Sequence, residues 1–116
     1  MNLLITENFL SDRIATLALN GRINAVTAPD LKAKLKNLVK DGYVKLIVDL
    51  TAVSFIDSSG LAALVSGFKA AKENGGTIIL SGLSDQTRMV FKLTKLDTVF
   101  EIYSDSKAAL DILNTS

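Results

Sequence analysis

Val53-Ser54-Phe55-Ile56-Asp57-Ser58-Ser59-Gly60-Leu61, continued by Ala62-Ala63-Leu64-Val65-Ser66-Gly67-Phe68-Lys69-Ala70-Ala71-Lys72, changes its period in the middle. The apolar segment Leu46 to Leu50 precedes it. After Gly60 the spacing turns helical: Leu61, Leu64, Val65 and Phe68 stand at i, i+3, i+4 and i+7, one stripe of a helix. Asp57-Ser58-Ser59-Gly60, where the period changes, is a run of helix-start residues. The spacing therefore predicts a strand, a sharp turn and a helix from about Ser58 to Asn74, stopped by Gly75-Gly76. Two serine hydroxyls would sit where helix N–H groups lack partners and the helix dipole is positive, a favoured place for an anion.

Working outward, Leu3 to Thr6 and Ile14 to Leu19 read as two strands of a hairpin, joined by the polar turn Asn8 to Arg13 and ended by Asn20-Gly21. Thr27 is the expected N-cap of a first helix, with Pro29 and Asp30 in its first turn. Leu31, Leu35, Leu38 and Val39 form its apolar stripe, and Asp41-Gly42 ends it with Gly free to take the left-handed cap. Lys32, Lys36 and Lys40 line another face; a solvated face is the plainer reading, an acidic docking surface the sharper one. Tyr43 to Leu50 is a strand, and Thr51 to Ser54 a short connection. Gly60, Ala63, Gly67 and Ala70-Ala71 give the central helix a small-residue side suited to close packing on the sheet. Thr77 to Leu80 is a strand, and Ser84 caps a helix over Asp85 to Lys95 with Met89, Leu93 and Leu96 inward and Val90 beside them. Val99 to Tyr103 is a last strand, and a final helix from Ser104 or Asp105 places Ala109, Ile112 and Leu113 inside. From Tyr43 on, strand and helix alternate three times, which implies parallel strands with crossover helices. The expected fold is a single α/β domain, residues 1–116, with a small mixed sheet of about five strands and about four helices against it.

Composition narrows the chemistry. With 13 Lys plus Arg against 12 Asp plus Glu, the formal charge is +1, and nothing argues for nucleic acid or an anionic membrane surface. No Cys is present, which removes a thiolate nucleophile and a thiolate zinc site; no His is present, which removes the commonest general base and metal ligand. A Gly-x-Ser-x-Gly elbow and a phosphate-cradling glycine loop with its lysine are missing. Asp49 and Asp57 could be read as an acid/base pair, but nothing separates them from a strand-end carboxylate and a capping residue. The expectation is a chain that is not an enzyme, with no cofactor, no metal, no membrane span and a cytoplasmic location.

A phosphate on Ser58 would add about −1.5 to −2 charges at neutral pH. The helix start should tolerate it, while a partner docked there would meet new bulk and new charge. The plainer reading of Asp57, Ser58 and Ser59 is an ordinary helix cap.

Val48-Asp49-Leu50 followed by Val53-Ser54-Phe55-Ile56-Asp57-Ser58-Ser59-Gly60-Leu61 resembles the signature of bacterial anti-sigma-factor antagonists, the STAS domain family. Gly21-Arg22-Ile23-Asn24 with Thr27-Ala28-Pro29-Asp30-Leu31, then Gly75 to Leu80, Met89 to Asp97 and Val99 to Ile102, resemble further family segments, so the likeness runs from about Leu4 to Leu113. The resemblance implies a partner switch. The unmodified antagonist binds an anti-sigma factor that is itself an ATP-using serine kinase and so frees a sigma factor. The kinase phosphorylates a serine of the motif, the complex parts, and a serine phosphatase resets it. By position that serine is Ser58, with Ser59 second, and the partner surface is formed by Asn24, Asp57, Ser58, Ser59, Gly60 and Leu61. Many members carry Asp where this chain has Asn24; the missing charge either lessens repulsion of a phosphate or changes which kinase fits. Relatives also serve as cytoplasmic parts of membrane transporters, so an accessory transporter subunit is the alternative. A nucleotide-hydrolysing protein is a third reading, opposed by the absent His, Cys and phosphate loop.

Overall fold

The computed structural model describes residues 3–115, so residues 1, 2 and 116 of the expected domain lie outside the described part. Five strands form one sheet in the order β1 (Leu3–Phe9), β2 (Ile14–Ile23), β3 (Lys45–Ile56), β4 (Thr77–Ser81), β5 (Glu101–Tyr103). β1 pairs antiparallel with β2, and every later neighbour pair is parallel. Helices α1 (Ala28–Lys40), α2 (Ser58–Glu73) and α3 (Asp85–Leu93) make the crossovers, a short 3-10 turn spans Leu96–Thr98, and α4 (Ser106–Thr115) closes the chain. The expected mixed sheet with four helices is what forms.

The strand period divides the core. Val44, Leu46, Val48 and Leu50 lie on one face with Leu17, Leu19, Ile78 and Leu80, and there meet Leu31, Leu35 and Leu38 of α1 and Leu64 of α2. Ile47 and Ile79 point to the other face and are covered by Ala109 and Leu113 of α4. α1 and α2 approach closely because Gly67 has no side chain: a Cβ there would lie 2.7 Å from Leu35 Cδ1 and 2.9 Å from Leu35 Cβ. Its cost in helix propensity, about 1 kcal/mol relative to Ala, is thus matched by a contact that only Gly allows. After α1, Gly42 takes φ +101, the left-handed conformation that glycine adopts freely.

Several expected boundaries shift. The hairpin does not end at Asn20-Gly21, and Thr51 to Ser54 is not a connection: β2 runs on to Ile23 and β3 to Ile56, paired as Asn20↔Ala52, Gly21↔Val53, Arg22↔Phe55 and Ile23↔Ile56. Register shifts between Ala18 and Asn20, and between Gly21 and Arg22, absorb one extra β3 residue each time. Asp49 Oδ1 fixes the first irregularity by accepting from Thr51 N at 2.9 Å and Thr51 Oγ1 at 2.6 Å. Mutual strand pairing outweighs the local turn tendency of Asn-Gly.

α3 turns a different side inward. Met89 is 53% exposed and Leu93 74% exposed, while Thr87 and Phe91 are buried. Phe91 meets Phe100 edge-on at 6.0 Å, and Phe68 of α2 meets Phe100 at 5.0 Å. Burying one large ring decides the rotation of a nine-residue helix. Val90 is half-buried and Leu96 packs from the 3-10 turn. In α4 the inward pair is Ala109 and Leu113, at i and i+4, which leaves Ile112 41% exposed.

Candidate functional site

The bulged ends of β2 and β3 deliver two turns side by side. Asp57 N donates to Ile23 O at 3.1 Å, which ties the start of α2 to the last residue of β2. Gly60 makes the fit possible: a Cβ there would lie 2.7 Å from both Ile23 Cγ2 and Ile56 Cγ1.

Asp57 is the N-cap of α2, with extended backbone (φ −113, ψ −172). Its Oδ1 accepts from Ser59 N at 2.9 Å and Gly60 N at 3.1 Å, and its carbonyl accepts from Leu61 N at 3.0 Å. The donors expected to await an external anion are therefore held largely by Asp57 itself. Ser58, the first residue of the helix, is exposed; Ser59 is half-buried; Gly60 and Leu61 are buried. Of the expected partner-surface residues, Gly60 and Leu61 thus support the helix start from below and do not present side chains to solvent.

Asn24 organises the neighbouring turn. Its Oδ1 accepts from Val26 N at 3.0 Å and Thr27 N at 3.2 Å, and its carbonyl accepts from Ala28 N at 2.8 Å. Thr27 does not cap α1 in the expected way: its backbone is already helical (φ −94, ψ −23) and its side chain makes no capping bond. Thr27 Oγ1 instead accepts from Asn24 N at 3.0 Å and donates to Arg22 O at 2.8 Å. The buried hydroxyl and the Asn24 amide lock the turn from both sides.

Three surface features beside the serines were not read from the sequence. Val26, at the tip of the Asn24 turn, is 75% exposed. Phe55, in the strand pair leading to Asp57, is 38% exposed, with the Arg22 guanidinium 4.4 Å from its ring centre. A groove between the starts of α1 and α2 is lined by Ala25, Ala28, Pro29, Lys32, Ser59 and Ala62, with Ala63. Phe55 lies in an apolar-rich run with Val53 and Ile56, which gave no sign that it alone would reach the surface. Lys32 stood out only as one of the lysines of the α1 stripe, and Val26 not at all.

Among the described residues no cluster of three or more His, Cys, Asp or Glu could hold a metal ion, and no helix is long and apolar enough to cross a membrane. The fold and this surface define a small mixed-sheet domain whose exposed chemistry gathers where two bulged strands launch a helix. The chain belongs to the STAS domain family, whose model matches residues 10–109. It is 42% identical over 83 residues to the anti-sigma-B factor antagonist of Listeria monocytogenes, spanning 71% of this chain and 72% of that protein. An anti-sigma factor antagonist from Mycobacterium paratuberculosis, 27% identical, superposes with a TM-score of 0.86 over 97% of this chain and 94% of its own. The anti-sigma factor antagonist SpoIIAA in its unphosphorylated form, 18% identical, shares the fold with a TM-score of 0.87 over 97% of this chain and 98% of its own.

Proposed function

We propose that this chain is an anti-sigma-factor antagonist that works as a phosphorylation-gated binding module in the cytoplasm and not as an enzyme. Unmodified, it sequesters an anti-sigma factor that is also a serine kinase, and so frees a sigma factor. Phosphorylation of Ser58 releases it, and a serine phosphatase restores the binding form. The similarity to the Listeria antagonist supports the partner class.

The observation that carries the switch is the exposed Ser58 beside an Asp57 carboxylate that already holds the Ser59 and Gly60 N–H groups. A phosphate added to Ser58 is not absorbed by those donors. It stands in solvent next to a carboxylate, on a surface that also offers Val26 and the Arg22-backed Phe55. A partner covering this surface would have to desolvate a dianion, and like charge on the partner side adds repulsion. The domain itself stays folded, because the dipole of α2 favours negative charge at its start and no core side chain moves. Asn24 contributes an amide where many relatives carry a carboxylate, so a phosphate here faces one negative neighbour fewer.

Mass spectrometry of the protein isolated from its own cells tests the modification: the reading expects one phosphate on the peptide carrying Ser58 and Ser59, located on Ser58. An unmodified motif under every growth condition would favour an unregulated scaffold. Binding assays with the anti-sigma factor test the gating: Ser58→Ala should bind and resist release, and Ser58→Asp should bind more weakly. If both bound as the native chain does, the switch would be wrong.

A further inference from the structure

Ser58 and Ser59 are adjacent in the chain but differ in surroundings. Ser58 faces solvent, whereas Ser59 is half-buried and lines the groove between the first turns of α1 and α2. That groove has a volume of about 360 Å³, and its walls are short side chains such as Ala28, Pro29 and Ala62. Lys32 is the one cation that lines it. Among the described residues the only ion pair joins Lys34 to Glu7, so the Lys32 ammonium is uncommitted. The backbone donors nearest Ser59 are already bonded to Asp57, which leaves a side chain as the source of any counter-charge on this side of the helix.

We propose that Lys32 is the counter-ion for a phosphate carried on Ser59, so that the α1–α2 groove is an intramolecular phosphate cradle and the two serines are unequal modification sites. This rests on the proposed switch only in supposing that a serine kinase works at this helix start. In the transfer, the Ser59 Oγ–P bond forms as the bond between the β–γ bridging oxygen and the γ-phosphorus of ATP breaks. ADP leaves, and the hydroxyl proton passes to the kinase's base. The product phosphate lies against Lys32, which offsets part of its charge within the chain. A phosphate on Ser58 has no such partner and keeps its full charge toward a docking protein. Modification of Ser59 is thus a weaker release signal than modification of Ser58. Of the other charged groups on these elements, Lys34 is paired with Glu7, and Lys36 and Lys40 of α1 and Lys69, Lys72 and Glu73 of α2 do not line the groove. Those close to the two helix starts are Asp57 before α2, Arg22 on β2 and Asp30 on α1. Asp57 acts on both phosphates, Arg22 lies over Phe55, and Asp30 does not line the groove.

The test uses the full chain with phosphoserine incorporated at position 58 or at position 59, and follows each phosphate by ³¹P NMR across the pH range of its second ionisation. An opposite charge nearby favours the dianion, so the phosphate on residue 59 should titrate about half a pH unit below that on residue 58 at low ionic strength. Lys32→Met should remove that difference by moving the residue-59 phosphate alone, Lys32→Arg should preserve it, and added salt should shrink it. Lys36→Met, one turn along α1 and outside the groove, should do nothing. If Lys32→Met left the residue-59 phosphate unmoved, or moved both phosphates equally, the proposal would be overturned. Because the titration uses the isolated chain, its result is independent of whether Ser58 gates partner binding.

Discussion

One oxygen of Asp57 accepts two backbone N–H groups at the start of α2. Asp57→Ala would leave both without that partner, and the loss of such a cap costs about 1 kcal/mol of stability, readable in a urea unfolding curve. Asp57→Ser, which retains an acceptor, should lose less. Asn24 bonds its turn through Oδ1 in the same manner. A carboxylate oxygen accepts the same two bonds, so Asn24→Asp should change stability by less than about 0.5 kcal/mol, while Asn24→Ala should cost about 1 kcal/mol. If Asn24→Asp instead destabilised as much as Asn24→Ala, the turn would depend on the Asn amide NH₂ and not on its oxygen. At this scale the cap was legible, because Asp followed by Ser-Ser-Gly has few other uses at a period change. The role of Asn24 was not legible from local chemistry: Thr27 stands just ahead of Pro29 and the apolar stripe of α1, where a cap is expected, and only the bond from Thr27 Oγ1 to Arg22 O, five residues back, turns that hydroxyl away.

The elements meet through glycines. A methyl group at Gly67 would overlap Leu35 of α1, and overpacking a close helix contact costs about 1–3 kcal/mol. Gly67→Ala should therefore destabilise despite the gain of about 1 kcal/mol in helix propensity; a rise in unfolding midpoint would contradict the close α1–α2 approach. Gly60→Ala places its methyl between Ile23 and Ile56, so it should both destabilise and weaken partner binding by shifting the start of α2 against the two strands that aim it. The small-residue side of α2 was readable from sequence as a close-packing side: Gly60 packs on the strand ends at Ile23 and Ile56 as expected of packing on the sheet, but Gly67 lies closest to Leu35 of α1, with Ile78 of the sheet farther off. The bulged continuation of β2 and β3 was not, since Asn-Gly and Thr-Ala-Val-Ser carry turn-like or neutral local preferences that strand pairing overrides. α3 misled in the same way: Met89, Leu93 and Leu96 keep helical spacing, but Phe91, with its greater area to bury, takes the core.

Across the whole molecule, one sheet face carries most of the core and the other is closed by α4 over Ile47 and Ile79. Leu64, fully buried beneath α2, should cost about 2–5 kcal/mol when cut to Ala, a large share of the stability of a domain this size. The alternation of strands and helices after Tyr43 was enough to predict the parallel crossovers, because each apolar strand needs cover that only an intervening helix supplies. The same architecture leaves the proposed switch site outside the core: Ser58 lies in solvent where the paired ends of β2 and β3 lead into α2, so a charge placed there would meet no core packing. The most direct test is a calorimetric titration of the anti-sigma factor with two forms of this chain, one unmodified and one with phosphoserine at position 58, alongside thermal unfolding of each. The unmodified form should bind, and the phosphorylated form should bind at least about tenfold more weakly, a loss of about 1.4 kcal/mol or more, with the same fold and a similar melting temperature. Equal affinity of the two forms, or weaker binding accompanied by unfolding of the phosphorylated domain, would contradict a switch that acts by surface charge at Ser58.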